Sequence, residues 1–178
     1  TIPGLLTDIA SLLKKQVFLF LACLLCTFFS LEAQKLSLGT FKPLALEKKV
    51  QIELDYTEST IDNCLYDDFV ALEKNWDNGF TEICQKFVKE ANKELLGQLV
   101  LSLSAESDYK LVLKVQKVLY NGRTFATLSL YNKSGEVIGF ANKIIGRGGT
   151  FGSKINLMGD ASEKMGESVG KFLKKQLK

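Results

Sequence analysis

Two groups of acidic residues have the side chains and spacing that acid–base chemistry would need. One is the pair Asp67 and Asp68, and the other contains Asp55, Glu58 and Asp62. A glycosidase-type mechanism needs only two carboxyl groups at the correct separation. The sequence fixes no such separation, and a solvated acidic rim beside a strand end accounts for the same residues. A carboxylate-dependent hydrolase is therefore kept as an alternative function, and no residue is assigned a catalytic role.

Histidine is absent from the chain of 178 residues, and cysteine occurs four times. The missing imidazole excludes Ser-His-Asp and Cys-His triads and every metal site that uses histidine. We therefore expect no metal and no cofactor. The formal net charge of +3 is too small to indicate nucleic-acid binding, which requires a strongly basic face.

A glycine-rich segment, residues 146–154, invites a phosphate-binding interpretation because glycines let backbone N–H groups approach an anion. Its Gly-Ser-Lys order reverses that of a P-loop, and Phe151 stands where a dinucleotide-binding loop has its third glycine. We interpret the segment instead as a mobile connection that contacts a partner. Arg147, Phe151 and Lys154 are its candidate binding residues.

Cys64 and Cys84 are the two cysteines outside the amino-terminal region. In an oxidising compartment they could pair, which would close a loop of about 20 residues and stabilise the fold by about 3 kcal/mol in the chain-entropy model. Two separate buried thiols are the equal alternative, because sequence gives no geometry.

The clearest functional signal lies near the amino terminus. Lys14 and Lys15 precede an uncharged run, residues 17–29, and Ala33 is a small residue before a polar start. This pattern is typical of a secretory signal peptide. The run is shorter than the ~20 residues that a membrane-spanning helix needs. We assign residues 1–33 to the signal and expect an exported protein, periplasmic or extracellular, with outer-membrane association as a further option.

Two details of this region stay open. The sequence before Cys23 approaches the box of bacterial lipoproteins, but Phe20 replaces the usual leucine, so lipidation is the minority interpretation. Residues 1–13 are an unusual prelude to a signal peptide, so either the sequence is a fragment or the native start lies near Leu13, and in the second case residues 1–13 are a non-native leader that carries no fold information.

The remaining chain is expected to contain a lead-in segment, residues 34–48, and one domain, residues 49–178. Strict alternation of apolar and polar residues predicts a strand at residues 50–56. Ser59 to Asp62 then suggest a capping-type start of a short helical or irregular segment. From Trp76 onward, apolar residues recur at intervals of three and four residues. This spacing predicts a helix, and Gly97 is placed to end it. Further strands are predicted at residues 99–103, 109–119, 125–131 and 136–145, and a final amphipathic helix follows the glycine-rich segment.

These elements predict an α+β fold. Strand-helix-strand order permits a parallel crossover, and Asn121-Gly122 is a strong hairpin signal within an antiparallel meander. We expect one mixed, mostly antiparallel sheet with two main helices on one face. Gly166 and Gly170 lie one turn apart in the final helix, and a close approach of that helix to the sheet would explain both.

Several motifs together resemble a family. They are the strand that ends in Asp55-Tyr56-Thr57-Glu58, the helix that starts at Trp76, the strand start at residues 108–113, the turn at residues 134–138 and the glycine-studded final helix. Over residues 49–177 the chain resembles small exported domains related to the TolB amino-terminal domain and the curli-secretion lipoprotein. The resemblance implies a bacterial envelope domain that works by contacting other proteins.

The sequence therefore favours a non-catalytic, exported interaction domain that binds an envelope protein. The alternatives are the carboxylate-dependent hydrolase and a small-ligand or glycan binder. Membrane contact is expected to be peripheral at most, through the lysines at the end of the final helix. The oligomeric state is left open.

The signal segment gives a first testable expectation. Amino-terminal sequencing of exported protein should begin at or near Gln34, because Ala33 is the small residue before the polar start. Recovery of residues 17–29 in the mature protein would contradict it.

Overall fold

The computed structural model describes residues 35–178, with the first three of these described by backbone only. The signal segment, its cleavage bond and Cys23 lie outside the described residues. Within them the elements follow in the order β1 (Lys35–Gly39), a 3-10 helix (Lys42–Leu46), β2 (Lys49–Asp55), β3 (Thr60–Ile61), β4 (Cys64–Leu65), α1 (Tyr66–Leu72), α2 (Trp76–Leu95), β5 (Val100–Ser102), β6 (Lys110–Val118), β7 (Thr124–Tyr131), β8 (Val137–Gly146) and α3 (Lys154–Gln176).

The strands form one mixed sheet in the order β1-β8-β7-β6-β2-β5, and β3 pairs with both β4 and the far part of β6. Strand β2 is parallel to β5 and β6, whereas β6, β7 and β8 form the antiparallel meander. The predicted α+β class is confirmed, including the parallel crossover from β2 to β5.

The segment expected to be a lead-in contributes to both the sheet and the core. Strand β1 pairs antiparallel with β8 and forms one edge of the sheet. Phe41 and Leu44 are completely buried, and the Phe41 ring meets the edge of Phe172 in α3 at a centroid distance of 5.2 Å. Aromatic pairs in this geometry contribute about 0.5–1.5 kcal/mol beyond the area that they bury.

A hairpin occupies the place where the sequence suggested a capped helix start. Asp62 and Asn63 both have positive φ, 54° and 66°, and they form the two-residue turn between Ile61 and Cys64. Asp and Asn tolerate this left-handed backbone, which short hairpin turns require. Ser59 and Thr60 therefore lead into a strand, and α1 begins later without a side-chain cap.

The Asn121-Gly122 hairpin is confirmed as a longer loop. Leu119 and Arg123 close it through a backbone hydrogen bond of 2.8 Å, so three residues lie at the tip. Gly122 has a left-handed backbone conformation with φ of 76°. In a three-residue hairpin loop, a left-handed residue usually follows a type I turn.

Helices α2 and α3 cover one face of the sheet and are parallel to each other. Residues that meet across them advance together along both helices: Gly79 lies against Ile155, Phe87 against Gly166, and Ala91 against Gly170. The Ser162 hydroxyl donates to the carbonyl of Ile83 at 2.8 Å. Both helices therefore start at the same end of the sheet.

Gly166 and Gly170 mark a close approach, and the partner is α2 rather than the sheet. A Cβ atom at Gly166 would lie 2.3 Å from the carbonyl oxygen of Phe87, and one at Gly170 would lie 2.6 Å from that of Ala91. These distances are far inside van der Waals contact, and the neighbouring atoms belong to a helix backbone that cannot move alone. The two glycines thus set the spacing between the helices.

Gly170→Leu should overpack this contact and lower the free energy of unfolding by about 1–3 kcal/mol. The matched control is Lys175→Leu on the exposed side of α3, which should stay within about 0.5 kcal/mol. Urea denaturation of both variants measures the difference. An unchanged or raised stability of Gly170→Leu would reject the close contact.

Candidate contact site

Three connections meet at the end of the sheet where α3 begins, and we call this region the loop end. It comprises the Asp62-Asn63 turn, the β6–β7 loop at residues 120–122, and residues 147–153. The N–H of Asp62 donates to the carbonyl of Val118 at 3.0 Å, which joins the first turn to the end of β6.

Lys154, the first residue of α3, joins the three connections. Its Nζ donates to the carbonyl of Tyr120 at 2.8 Å and lies 3.4 Å from that of Leu119. The same Nζ forms an ion pair with the Asp62 carboxylate, and the Lys154 side chain is only 15% exposed. A cation at a helix amino terminus is disfavoured by the helix dipole, and Asp62 offsets that cost. Lys154 therefore positions the loop end, with its donors already engaged inside the chain.

The glycines of residues 146–153 are needed for close packing. A Cβ at Gly148 would lie 2.0 Å from the carbonyl oxygen of Asn121, and one at Gly149 would lie 2.0 Å from a carboxylate oxygen of Asp160. The segment lies against both the hairpin loop and α3 at these points. At Gly148 the neighbour is backbone, which leaves no room for a larger residue, whereas at Gly149 it is the end of the Asp160 side chain, which can rotate away.

Large apolar side chains project from this frame. Phe151 is 87% exposed and Tyr120 is 78% exposed, and Leu65 beside the first turn is also exposed. Arg147 is exposed as well. Of the three residues assigned to binding from sequence, Phe151 and Arg147 are therefore accessible, whereas Lys154 is committed to the frame.

Tyr120 and Leu65 were not identified from the sequence. The Asn121-Gly122 signal located the loop that carries Tyr120, but a loop aromatic can equally fold back onto a core. Only the assembled structure shows that Tyr120 and Leu65 share one end of the molecule with Phe151.

The carboxylates considered for hydrolysis have other roles. Asp55 accepts hydrogen bonds from the backbone N–H and the hydroxyl of Thr57, at 2.9 and 2.7 Å. Glu58 is paired with Lys114 across the open face of the sheet. Asp67 and Asp68 are exposed in the first turn of α1, where acidic side chains favour the helix dipole.

Cys64 and Cys84 are free thiols in the structure. Cys64 is exposed in β4, and Cys84 is buried in α2, where burial raises the pKa of its thiol to about 11. Next to it, burial also raises the pKa of the Tyr56 phenol. A raised pKa keeps the Cys84 thiol protonated near neutral pH, and protonated thiols are poor nucleophiles.

Residues 35–178 contain no cluster of three or more acidic, cysteine or histidine side chains that could hold a metal ion. None of their helices is long and apolar enough to cross a membrane.

Neither a protein-family profile nor a curated protein matches the chain. Among solved structures, a PelC dodecamer from Paraburkholderia phytofirmans matches 77% of this chain and 96% of its own, with 14% identity and a TM-score of 0.42. The L103M variant of that dodecamer matches 77% of this chain and 95% of its own, with 14% identity and a TM-score of 0.38. The crystal structure of an uncharacterised protein matches 74% of this chain and 95% of its own, with 14% identity and a TM-score of 0.38. At these TM-scores the structural similarity supports no conclusion about function. The chain is therefore described by its α+β fold and by the exposed apolar residues of its loop end.

Lys154→Met should destabilise the loop end, because the carbonyls of Leu119 and Tyr120 and the Asp62 carboxylate lose a common donor. We expect a loss of about 1–3 kcal/mol in the free energy of unfolding, because hydrogen bonds made by a charged group contribute about 1.5–3 kcal/mol. Lys74→Met is the matched control, since Lys74 is exposed and such changes usually stay within about 0.5 kcal/mol. Equal stabilities of the two variants in urea denaturation would show that Lys154 does not join the connections.

Proposed function

We propose that this protein is an exported, non-catalytic interaction domain that binds another protein of the bacterial envelope through its loop end. The observation that carries the proposal is the pair of aromatic side chains, Phe151 and Tyr120, which are both exposed at the loop end. Aromatic anchors of this type dominate the binding energy of protein interfaces.

The frame matters because association costs conformational entropy. A flexible loop must lose that entropy on binding, at about 1–2 kcal/mol per residue for the backbone. Here the backbone contact at Gly148 and the hydrogen bond of the partly buried Lys154 to Tyr120 anchor the segments on which the aromatics lie. A preorganised surface retains more of its contact energy as affinity.

The charge of the loop end also favours a protein partner. Asp62 is paired with Lys154, and Arg147 is exposed in the same connection as Phe151. Exposed aromatics together with an arginine match the composition of protein interfaces, which are enriched in both.

The envelope location rests on the sequence. The basic pair and uncharged run before residue 34 are typical of a secretory signal, and the motifs over residues 49–177 resemble exported envelope domains. Both are consistent with a domain that meets its partner after export.

Site-specific photocrosslinking tests the proposal. A photoreactive phenylalanine analogue placed at position 151 or 120 in the producing bacterium should crosslink to the same envelope protein. The control position is Leu46, which is exposed and precedes β2, whereas the loop end lies beyond the far end of that strand. Crosslinks to different proteins at positions 151 and 120, or to the same protein at Leu46, would reject the loop end as the binding surface.

Truncation provides the energetic test. Phe151→Ala should leave the free energy of unfolding within about 0.5 kcal/mol, as exposed side chains usually do. It should weaken binding to the crosslinked partner by roughly tenfold or more, the cost of losing an interface anchor. A large loss of stability would instead place Phe151 in the fold.

A further inference from the structure

A second surface lies at the opposite edge of the sheet from β1. Strand β5 is the last strand in the sheet order, and a groove of about 470 Å³ runs between it and α2. We call it the edge groove; it is lined by Gln85, Val88 and Lys89 of α2, by residues 100–104, and by Lys49 at the start of β2. The loop end lies beyond the other end of β2, so the two surfaces are separate.

The floor of the edge groove is apolar. Val100 and Leu103 are 41% and 39% exposed, and Val88 of α2 is a partly buried residue of the lining that packs against the core. The shallow form of the groove suits a few side chains of an extended segment better than an enclosed small molecule.

The rim of the edge groove is cationic. Lys49 and Lys89 are both exposed, and none of the ion pairs between described residues involves either of them. Among residues 35–178, no carboxylate lines the groove. By contrast, Lys110 and Lys114 of β6 are paired with Glu53 and Glu58. The lysines of the groove thus favour a ligand that supplies the missing carboxylates.

Asn92 restricts how such a ligand can bind. Its carboxamide accepts from the N–H of Leu101 at 2.7 Å and donates to the carbonyl of Leu101 at 2.9 Å. These are the two backbone hydrogen bonds that an added strand would make at this edge, so strand addition at Leu101 is blocked. Recognition must therefore use side chains in the groove and charges at its rim.

We propose that the edge groove binds a short acidic peptide segment of a partner protein, with apolar side chains on Val88, Val100 and Leu103 and carboxylates paired with Lys49 and Lys89. Apolar contact supplies affinity and the two charge pairs supply orientation, as is usual at the rims of interfaces. The proposal is independent of the loop end, because none of its residues belongs to that surface.

A peptide titration tests it. The probe is a fluorescein-labelled peptide with two leucines flanked on each side by two glutamates, and anisotropy reports binding to the purified protein. We expect saturable binding that weakens with added salt. Lys49→Glu and Lys89→Glu should each weaken it by about fivefold or more, since the exposed pair is lost and a repulsion is added. Leu103→Ser should weaken it as well.

Three controls make the result specific to the groove. Lys74→Glu makes the same charge change away from the groove and should leave the affinity unchanged, and Phe151→Ala should do the same. A probe with serines in place of the leucines should bind more weakly. Thermal unfolding of every variant should match the parent protein, so that loss of binding is not loss of fold.

Several outcomes would overturn the proposal. One is absence of saturable peptide binding, and another is an equal effect of Lys74→Glu and Lys89→Glu. A third is binding to vesicles of phosphatidylglycerol and phosphatidylcholine that depends on Lys49 and Lys89 while the peptide does not bind, which would assign the groove to anionic lipid. Loss of peptide binding in Phe151→Ala would mean that the probe occupies the loop end, whose own test is the crosslinking experiment.

Discussion

The backbone contact between α2 and α3 is the constraint on which the rest of the structure depends. Gly166 and Gly170 bring α3 so close that a Cβ atom would lie 2.3 and 2.6 Å from carbonyl oxygens of α2. Ser162 adds a buried hydrogen bond to Ile83 along the same line. Small residues at a helix contact cost helix propensity, up to about 1 kcal/mol for each glycine, and the dense packing that they allow offsets that cost. The contact fixes the register of two parallel helices, and with it the ends of both.

Both proposed surfaces follow from that register. The first residue of α3 is Lys154, whose ammonium group joins the Asp62 turn, the β6–β7 loop and the helix. A shift of α3 along α2 would pull this group away from its acceptors. The flank of α2 opposite α3 meets strand β5, where Asn92 binds the backbone of Leu101 and Val88 forms the floor of the edge groove. One helix contact therefore positions a loop end on one side and a groove on the other.

The two proposed surfaces differ in electrostatics. At the loop end the partly buried Lys154 is paired with Asp62, and the aromatic side chains of Phe151 and Tyr120 are exposed. At the edge groove, Lys49 and Lys89 are without carboxylate partners among the described residues. Salt would weaken binding at the groove much more than at the loop end.

The sequence by itself determined the fold class, because alternation in β2, β6 and β7 and the three-four spacing from Trp76 depend only on which residues face a core. It also located the glycine-rich segment and Phe151. It did not determine that Lys154 is internal, that Tyr120 and Leu65 share an end with Phe151, or that Gly170 meets Ala91 rather than the sheet. Nor did it show the Asp62-Asn63 hairpin, where two left-handed residues took the place of a helix cap. These features depend on contacts between residues that are far apart in the chain, and local periodicity carries no information about which distant segments meet. Tertiary packing decided them, since close backbone approach and burial of a charged group are settled only when all the elements are assembled.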